Sequence, residues 1–335
     1  MRAVLVGLGA VGARAARQLL ASPQVDHLAV LARKPVRSRG RSRELSGSFE
    51  VAELSPATLP AALRGASVTV LAAPGSQWVA QLSIDAGVPV VSASDRPDEV
   101  RALVAMDRQA QGRGLAVVAG AAMAPGLSCL LAAWASSRLD QLSELHIATL
   151  GTGGPQCAKR RHASLREPVE EWRDGRWARK APGSGRELVW FPGQVGGADC
   201  YRLNRPDTFL LVRAFPGTSC VTTRAAASRR DRLTSWLPML RPPHPEGTVG
   251  ALRVEARGYR RGAAQSVVLG AAGRPALLAG TVAATAALRA ATGQLRPGAG
   301  GLASLVPDPA AVLAELHDRG VQLSAFEGAP VNPAW

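Results

Sequence analysis

Glycine spacing near the amino terminus narrows the possible folds of this chain more than any other pattern in it. Strand-forming residues from Ala3 to Val6 run directly into Gly7-Leu8-Gly9-Ala10-Val11-Gly12, and an amphipathic helical pattern continues to Leu20. A strand, a GxGxxG turn and a helix in this order are typical of a doubly wound, mostly parallel sheet that binds a dinucleotide. We therefore predict an N-terminal Rossmann domain, against the alternative of a glycine-rich turn with no nucleotide.

Each glycine of this motif has its own predicted role. Gly7 permits the tight turn, Gly9 lets the backbone approach a pyrophosphate, and Gly12 lets the helix pack closely on the strand. The predicted helix begins around Ala10 and Val11, so its free N–H groups and its partial positive charge would face the phosphates.

The end of the second predicted strand, His27 to Ala32, is where the adenosine ribose of a dinucleotide is expected. An acidic residue there would accept hydrogen bonds from the ribose 2′-hydroxyl of NAD. This chain instead has Arg33 and Lys34, beginning 21 residues beyond Gly12, and more arginines follow up to Arg43. A guanidinium can hold a 2′-phosphate with two charge-assisted hydrogen bonds. We therefore predict NADP(H) as the cofactor, with a solvated basic loop as the alternative.

The net charge of +15 invites a nucleic-acid interpretation, but the residue types argue against it. Only three of the 40 basic residues are lysines, so arginine supplies the other 37, as a GC-rich genome would encode. A nucleic-acid-binding surface should combine a focused basic patch with aromatic residues, and aromatic residues make up only 4% of the chain. We expect small anionic ligands and no nucleic acid.

The cysteines and the longest apolar segment predict a cytoplasmic protein without a membrane span. The cysteines are widely separated and form no CxxC pair, so we expect free thiols and no metal site. The strand and glycine turn at the amino terminus leave no room for a signal peptide. Residues 115–135 are almost wholly apolar, but Pro125-Gly126 interrupts them, so we predict a strand, a turn and a helix there.

Several motifs of the first half resemble the saccharopine dehydrogenase and reductase-like family. The resemblance is carried by VLVGLGAVG, by Ala72-Ala73-Pro74 after the fourth predicted strand, by AGVPVVSASD, and by the glycine–proline run from Gly120 to Ser128. The segments GTVAATAALRAATG and LVPDPAAVLAELHDRGV are similar to the family's C-terminal part. Val90 is a departure, because many relatives have a tyrosine at this position, and this puts the usual amino-acid substrates in doubt.

This resemblance implies an NAD(P) domain with a second domain inserted before the C-terminal helices, and a homodimer joined through the second sheet. Members of the family reduce imines formed between an amine and a keto acid, or run that reaction backwards. Ala72, Ala73, Pro74, Gly120 and Pro125 match positions that flank the nicotinamide in similar proteins.

The second half of the chain predicts an α+β domain built on a mostly antiparallel sheet. Strand patterns fall at Glu144–Leu150, Leu188–Pro192 and Thr208–Phe215, and a hairpin pattern at Leu252–Gly258 with Ser266–Leu269. Helical patterns fall at Leu277–Ala291 and at Pro309–Arg319. We expect a Rossmann domain over residues 1–125, a substrate and dimerisation domain over 126–270, and C-terminal helices over 271–335 that pack back on the Rossmann domain.

A basic segment after the first strand of this second domain carries the predicted substrate chemistry. Arg160 and Arg161 are predicted to bind a substrate carboxylate. Lys159, His162 and Tyr201 are the candidates for proton transfer, and the reference pKa of histidine lies near working pH. A solvated basic loop is the alternative for this segment, and the sequence does not place Tyr201 near the cofactor.

Two further residues have chemical interpretations that compete with structural ones. His146 lies inside a predicted strand, where a lone histidine is more often structural than catalytic. Cys129 follows Pro125-Gly126 at a predicted helix N-terminus, a position that favours a reactive thiolate able to form a thioester. A cysteine is also a small apolar residue that packs well in a core.

These features together predict an NADP(H)-dependent oxidoreductase that reduces an imine or a carbonyl of a small, carboxylate-bearing substrate. The arginine-rich composition, with a middle segment that does not match the family, favours a role in secondary metabolism. The alternative is a non-catalytic NADP(H)-binding sensor or partner protein, which the missing tyrosine and the absence of a clear acid–base pair favour.

Overall fold

The computed structural model describes residues 1–33, 42, 45–239, 243–244 and 247–326. In chain order its strands are β1 (Arg2–Val6), β2 (His27–Ala32), β3 (Phe49–Glu53), β4 (Ala66–Leu71), β5 (Val90–Ser92), β6 (Ala116–Ala119), β7 (Gln141–Leu150), β8 (Val169–Arg173), β9 (Arg176–Lys180), β10 (Glu187–Phe191), β11 (Gly196–Arg202), β12 (Cys220–Ala226), β13 (Gly250–Arg260), β14 (Ala263–Gly273), β15 (Gly298–Gly300) and β16 (Gln322–Ala325). Its helices are α1 (Ala10–Leu20), α2 (Leu59–Leu63), α3 (Gln77–Asp85), α4 (Pro97–Val104), α5 (Asp107–Gly112), α6 (Leu127–Ser136), α7 (Pro155–Ser164), α8 (Pro206–Ala214), α9 (Arg229–Leu233), α10 (Pro275–Ala291), α11 (Leu302–Leu305) and α12 (Pro309–Asp318).

The chain divides into two compact units. The first comprises Met1–Leu127 and Leu277–Pro307, and the second comprises Ser128–Ala276 together with the residues from Asp308 on. In the first unit, α10 packs closely on α1 at Gly280, where the lack of a side chain permits the approach. A Cβ at Gly280 would lie 2.4 Å from the Cβ of Arg14. The division that the sequence predicts at residues 125 and 270 stays a prediction.

The first unit contains a sheet of seven described strands, all parallel, in the order β3-β2-β1-β4-β5-β6-β15. The order 3-2-1-4-5-6 is that of the dinucleotide-binding fold, so the predicted doubly wound domain is confirmed. Val4 and Leu5 of β1 are fully buried, as expected for a parallel strand covered on both faces. The strand order reverses between β1 and β4, and ligands of such sheets bind outside the carboxyl ends at this switch point.

The second unit contains a nine-stranded sheet, counted over the described residues, with the main order β10-β11-β12-β7-β13-β14-β16. β7 runs parallel to β12, and the other neighbouring strands are antiparallel. This confirms the predicted, mostly antiparallel sheet. The predicted hairpin is also confirmed, and Arg261 and Gly262 close it with φ values of +52° and +78°. Positive φ at both turn residues matches the twist of paired strands.

The strand predicted at Thr208–Phe215 is wrong, because these residues lie mostly in helix α8. Pro206 occupies the first helical position and Asp207 lies in the first turn. Both are signals for the start of a helix, and they outweigh the apolar run that follows. The helices predicted at Leu277–Ala291 and Pro309–Arg319 are confirmed by α10 and α12.

The apolar segment 115–135 forms β6, a turn and α6, as predicted. Within the described ranges, none of the helices combines the length and the apolar character needed to cross a bilayer.

Candidate functional site

The chain turns sharply at Gly7, at the carboxyl end of β1. The φ of Gly7 is +96°, a value that side chains other than glycine rarely adopt. A Cβ here would lie 2.7 Å from the Cβ of Ala73. The Gly7 N–H donates to the carbonyl of Leu31 at 2.8 Å, and the Ala72 N–H donates to the carbonyl of Val6 at 2.8 Å. The ends of β2, β1 and β4 are therefore joined closely around this glycine.

Gly12 and Gly9 differ in what surrounds their α-carbons. A Cβ at Gly12 would lie 2.0 Å from the carbonyl oxygen of Gly7 and 3.3 Å from the Cβ of Ala72, whereas a Cβ at Gly9 would meet no described heavy atom within 4 Å. The protein itself requires glycine at position 12. At position 9 it leaves space, which is where the fingerprint places the diphosphate of a dinucleotide.

The first turn of α1 borders this space. Gly9 is the N-cap, and Ala10, Val11 and Gly12 follow it. The N–H groups of a first helical turn have no acceptor within the helix. No acidic side chain lies in this turn, so no carboxylate of the turn offsets the partial positive charge of the helix N-terminus. The residues present therefore fit a bound diphosphate.

Arg33 directly follows β2 and has an exposed side chain. Because β2 runs parallel to β1, Arg33 lies at the same edge of the sheet as the glycine turn. Lys34 and the arginines that follow it up to Arg43 lie outside the described residues. The contact of Arg33 with a 2′-phosphate stays a prediction.

Two further loops lie at this edge of the sheet. Ala72, Ala73 and Pro74 follow β4, and Gly120 and Pro125 belong to the turn after β6. Gly120 has a φ of +85°, and a Cβ on it would lie 2.3 Å from Cγ of Pro125. Only glycine fits this approach. The contacts of these five residues with a nicotinamide, which the resemblance implies, stay predictions.

The basic segment predicted to carry the substrate chemistry of the second unit lies on helix α7, and not in the loop that was the alternative interpretation. Pro155 occupies the first helical position, where its fixed φ favours a helix. Arg160 forms two hydrogen bonds with Glu167, of which the Nη2–Oε2 distance is 3.0 Å. Arg161 donates to the carbonyl of Ala226 at 2.6 Å. Both guanidinium groups thus have protein partners in this structure, and their binding of a carboxylate stays a prediction.

The three candidates for proton transfer differ in their surroundings. Lys159 is exposed on α7, and Nε2 of His162 lies 2.9 Å from the carbonyl oxygen of Leu237. Tyr201 is only 1% exposed, and the guanidinium carbon of Arg232 lies 4.2 Å from its ring centroid. The Tyr201 hydroxyl is buried and has no hydrogen-bond partner within the part of the chain that the structure describes. Their catalytic roles stay predictions.

His146 and Cys129 have surroundings that favour their structural interpretations. Nδ1 of His146 lies 2.9 Å from the Thr222 hydroxyl, and Nε2 lies 2.9 Å from Oε2 of Glu144. Both ring nitrogens are therefore engaged within the sheet. Cys129 is fully buried in α6, where it serves as an apolar residue of the core.

The last residue of the glycine–proline run, Ser128, contacts a buried acid. Its hydroxyl donates to Oδ1 of Asp207, and both side chains are fully buried. Nε of Arg205 lies 3.6 Å from Oδ2 of Asp207. Burial raises the pKa of the Asp207 carboxyl, although Arg205 and Ser128 act in the opposite direction.

This buried acid has a consequence for the pH dependence of stability. Because the folded state binds the Asp207 proton more readily than the unfolded chain, Asp207 stabilises the fold at acidic pH, and this contribution is lost as the pH rises through the folded-state pKa. Asp207→Asn keeps an acceptor for Ser128 and cannot ionise. We expect its stability relative to wild type to be higher at about pH 8 than at about pH 5. Urea unfolding at both pH values measures the free energy of unfolding of each protein. The same difference between variant and wild type at the two pH values would contradict the prediction.

Two sequence comparisons found no relative, whereas a structural comparison found many similar folds. No family model matches the chain, and no curated protein matches it. Saccharopine dehydrogenase (L-Glu forming) from Saccharomyces cerevisiae matches with a TM-score of 0.69 at 14% identity, over 97% of this chain and 99% of that one.

Two further structures match over most of both chains. Amine dehydrogenase from Mycobacterium smegmatis has a TM-score of 0.56 at 12% identity, over 92% of this chain and 98% of that one. DAP dehydrogenase from C. glutamicum, in complex with DAP, has a TM-score of 0.53 at 16% identity, over 96% and 99%. Similarity at these identities establishes the fold: the chain has a saccharopine dehydrogenase-like fold, as its motifs predict.

Proposed function

We propose that this chain is an NADP(H)-dependent oxidoreductase that reduces an imine or a carbonyl of a small, carboxylate-bearing substrate. The observation that carries the proposal is the contrast within the glycine turn. Gly7 and Gly12 are crowded by protein atoms, whereas the α-carbon of Gly9 faces open space. A glycine that packing does not require, beside a helix N-terminus at the switch point of the sheet, supports a diphosphate at this place.

The proposed reaction takes its class from the similar folds. The structures reported above are named as saccharopine, DAP and amine dehydrogenases, which supports a CH–NH bond as the reacting group. When bound, the cofactor would supply a hydride from nicotinamide C4.

The residues of the second unit have two proposed tasks. Lys159, His162 and Tyr201 stay the proposed proton donors. Arg160 and Arg161 stay the proposed carboxylate ligands, and each would exchange its present partner for the substrate.

We propose that Arg33 selects the phosphorylated cofactor. Arg33→Ala removes a guanidinium that would bind the 2′-phosphate, and hydrogen bonds to charged groups contribute about 1.5–3 kcal/mol, a factor of about 10 to 150 in affinity. We expect NADPH binding to weaken by this factor and NADH binding to stay unchanged, as measured by calorimetric titration. Arg64→Ala is the matched control, because Arg64 is also exposed but precedes β4 at the opposite edge of the sheet. Equal affinity of the mutant and the wild type for NADPH would remove the basis for the preference.

The activity is tested by mixing the protein with NADPH and a panel of amines paired with 2-keto acids. We expect the NADPH absorbance to fall with at least one pair. A fall that needs both the amine and the keto acid assigns an imine as the substrate, and a fall with the keto acid alone assigns a carbonyl. Saturable binding of NADPH without oxidation by any pair or carbonyl compound would contradict the enzymatic proposal.

A non-catalytic NADP(H)-binding sensor or partner protein is the second candidate. Two observations favour it. The side chains of Arg160, Arg161 and His162 already hydrogen-bond to other residues of this chain, and Tyr201 is buried. This candidate shares the expectation of NADPH binding and differs in expecting no turnover.

We also propose that the chain is a cytoplasmic homodimer with a biosynthetic role. All four cysteines are free, which is consistent with a reducing compartment. The homodimer rests on the family resemblance, and light scattering coupled to size-exclusion chromatography tests it.

A further inference from the structure

Glu99, on helix α4, joins the loop that follows β4 to the loop that follows β5. Its side chain is only 7% exposed, and both of its carboxylate oxygens are used. Oε1 accepts a hydrogen bond from the Gly75 N–H at 2.9 Å, and Oε2 accepts one from the Ser94 hydroxyl at 2.7 Å. Neither contact lies within the helix that carries Glu99, so this carboxylate holds two loops.

The charge of Glu99 is compensated from the solvent side. Nε of Arg96 lies 3.1 Å from Oε1 of Glu99, and Arg96 is 43% exposed. Arg96 also donates to Oδ2 of the exposed Asp98 at 2.6 Å. A buried carboxylate without partners would be strongly unfavourable, whereas this one has a cation and two loop donors. The geometry of the Glu99 contacts therefore favours one arrangement of the loops after β4 and β5 over others.

The first of the two loops continues directly from Ala72-Ala73-Pro74 into Gly75. Within it, the Ser76 hydroxyl donates to the carbonyl of Ala73 at 2.5 Å. Gly75 has a φ of +73°, and its N–H is the donor to Glu99. The carboxylate therefore fixes the position of this loop at the residue next to Pro74.

The second loop reaches the turn after β6. The carbonyl oxygen of Ser94 lies 3.5 Å from the position of a Cβ on Gly120. Gly120 in turn lies against Pro125. Ser94, which donates to Glu99, therefore also lies against Gly120 in the turn after β6, the third loop at this edge of the sheet.

The strand order decides which half of the cofactor these loops would meet. The glycine turn places the diphosphate at the end of β1, and Arg33 places the adenosine half at the end of β2. Because β4 and β5 lie on the other side of β1, the other half of the dinucleotide would extend toward the loops that Glu99 joins.

We infer that Glu99 is a positioning residue for the nicotinamide half of the proposed cofactor site. It holds the loops after β4 and β5 in the conformation that receives the nicotinamide, and it does not touch the adenosine half. This inference rests on the proposed function. The sequence does not single out Glu99, because a lone glutamate on an amphipathic helix is usually solvated.

The test compares two probes, NADPH and 2′-phospho-ADP-ribose, which lacks the nicotinamide. We expect Glu99→Ala to weaken NADPH binding about tenfold, the effect of losing one hydrogen bond to a charged group, and to leave 2′-phospho-ADP-ribose binding within about twofold of wild type. Glu99→Gln keeps an acceptor for Gly75 and a polar group for Ser94, so we expect it to restore most of the NADPH affinity. If Glu99 had only a structural role, Glu99→Ala would weaken the binding of both probes together.

Asp98→Ala is the matched control, because it removes the neighbouring acid that also pairs with Arg96 but forms no hydrogen bond with Gly75 or Ser94, the two residues that Glu99 holds. We expect it to bind both probes as the wild type does. If Glu99→Ala does not fold, Ser94→Ala removes the contact with Oε2 of Glu99, together with the acceptor of the Arg96 N–H at 3.3 Å, and leaves the Gly75 contact in place. It should weaken the binding of NADPH only, by about threefold.

The outcomes separate this inference from the proposed function. If Glu99→Ala lost affinity for both probes equally, or lost affinity for neither, the role of Glu99 would be overturned and the proposed function would stand. Failure of the wild-type protein to bind either probe would overturn the proposed function and this inference with it.

Discussion

Gly9→Ala is expected to leave the protein folded and to weaken NADPH binding at least about a hundredfold. A methyl group at this position meets no described protein atom within 4 Å, so the fold gives no reason for glycine. In the proposed complex the same methyl group would stand where the diphosphate approaches the N–H groups of α1. Displacing the diphosphate would cost two or more charge-assisted hydrogen bonds, each contributing about 1.5–3 kcal/mol.

Calorimetric titration with NADPH measures this effect, and thermal unfolding without nucleotide confirms that the variant is folded. Gly112→Ala is the matched control, because a Cβ there also meets no described atom within 4 Å and Gly112 ends helix α5, away from the glycine turn. We expect the control to bind NADPH as the wild type does. An unchanged affinity of Gly9→Ala would mean that the open space beside Gly9 does not receive a diphosphate.

Gly12→Ala is expected to have a different primary effect, a loss of stability of about 3 kcal/mol or more. Its Cβ would lie 2.0 Å from the carbonyl oxygen of Gly7 and 3.0 Å from the carbonyl carbon. These are backbone atoms at the end of β1, so they cannot rotate away as a flexible side chain would. Relief requires α1 to move away from the sheet, which would also disturb the proposed diphosphate site.

Urea unfolding followed by far-UV circular dichroism measures the stability of this variant. Gly9→Ala is its natural comparison, because the two substitutions add the same methyl group three residues apart on one turn. We expect a lower unfolding midpoint for Gly12→Ala and an unchanged midpoint for Gly9→Ala. Equal midpoints for the two variants would contradict the packing account of Gly12.

Those parts of the structure that depend on neighbouring residues could be predicted from the sequence. The GxGxxG turn, the strand before it and the helix after it lie within twenty residues, and the hairpin of β13 and β14 is closed by a two-residue turn. Pro125-Gly126 likewise divides the apolar segment 115–135 in the expected place. In each case the signal and the structure that it specifies are adjacent in the chain.

The prediction of a strand over Thr208–Phe215 was wrong because an apolar run alone does not distinguish a strand from a buried helix. The decisive signals lay just before the run, in Pro206 and Asp207. Helix α7, which carries the basic residues, was not predicted either, although Pro155 at its first position is a signal for a helix start.

The contacts of the candidate sites were beyond prediction because they join residues far apart in the chain. Arg161 donates to the carbonyl of Ala226, and Glu99 accepts from the N–H of Gly75. Such pairs depend on how the elements pack, and a single sequence carries no record of this packing. Tyr201 is a further example, because its position in a strand does not show that its ring is buried.

Calorimetric titration of the wild-type protein with NADPH and, separately, with NADH tests the central claim most directly. The glycine turn with its open space at Gly9 and the basic residue at Arg33 lead us to expect one saturable site per chain that binds NADPH more tightly than NADH. The absence of saturable heat with either nucleotide would contradict the account.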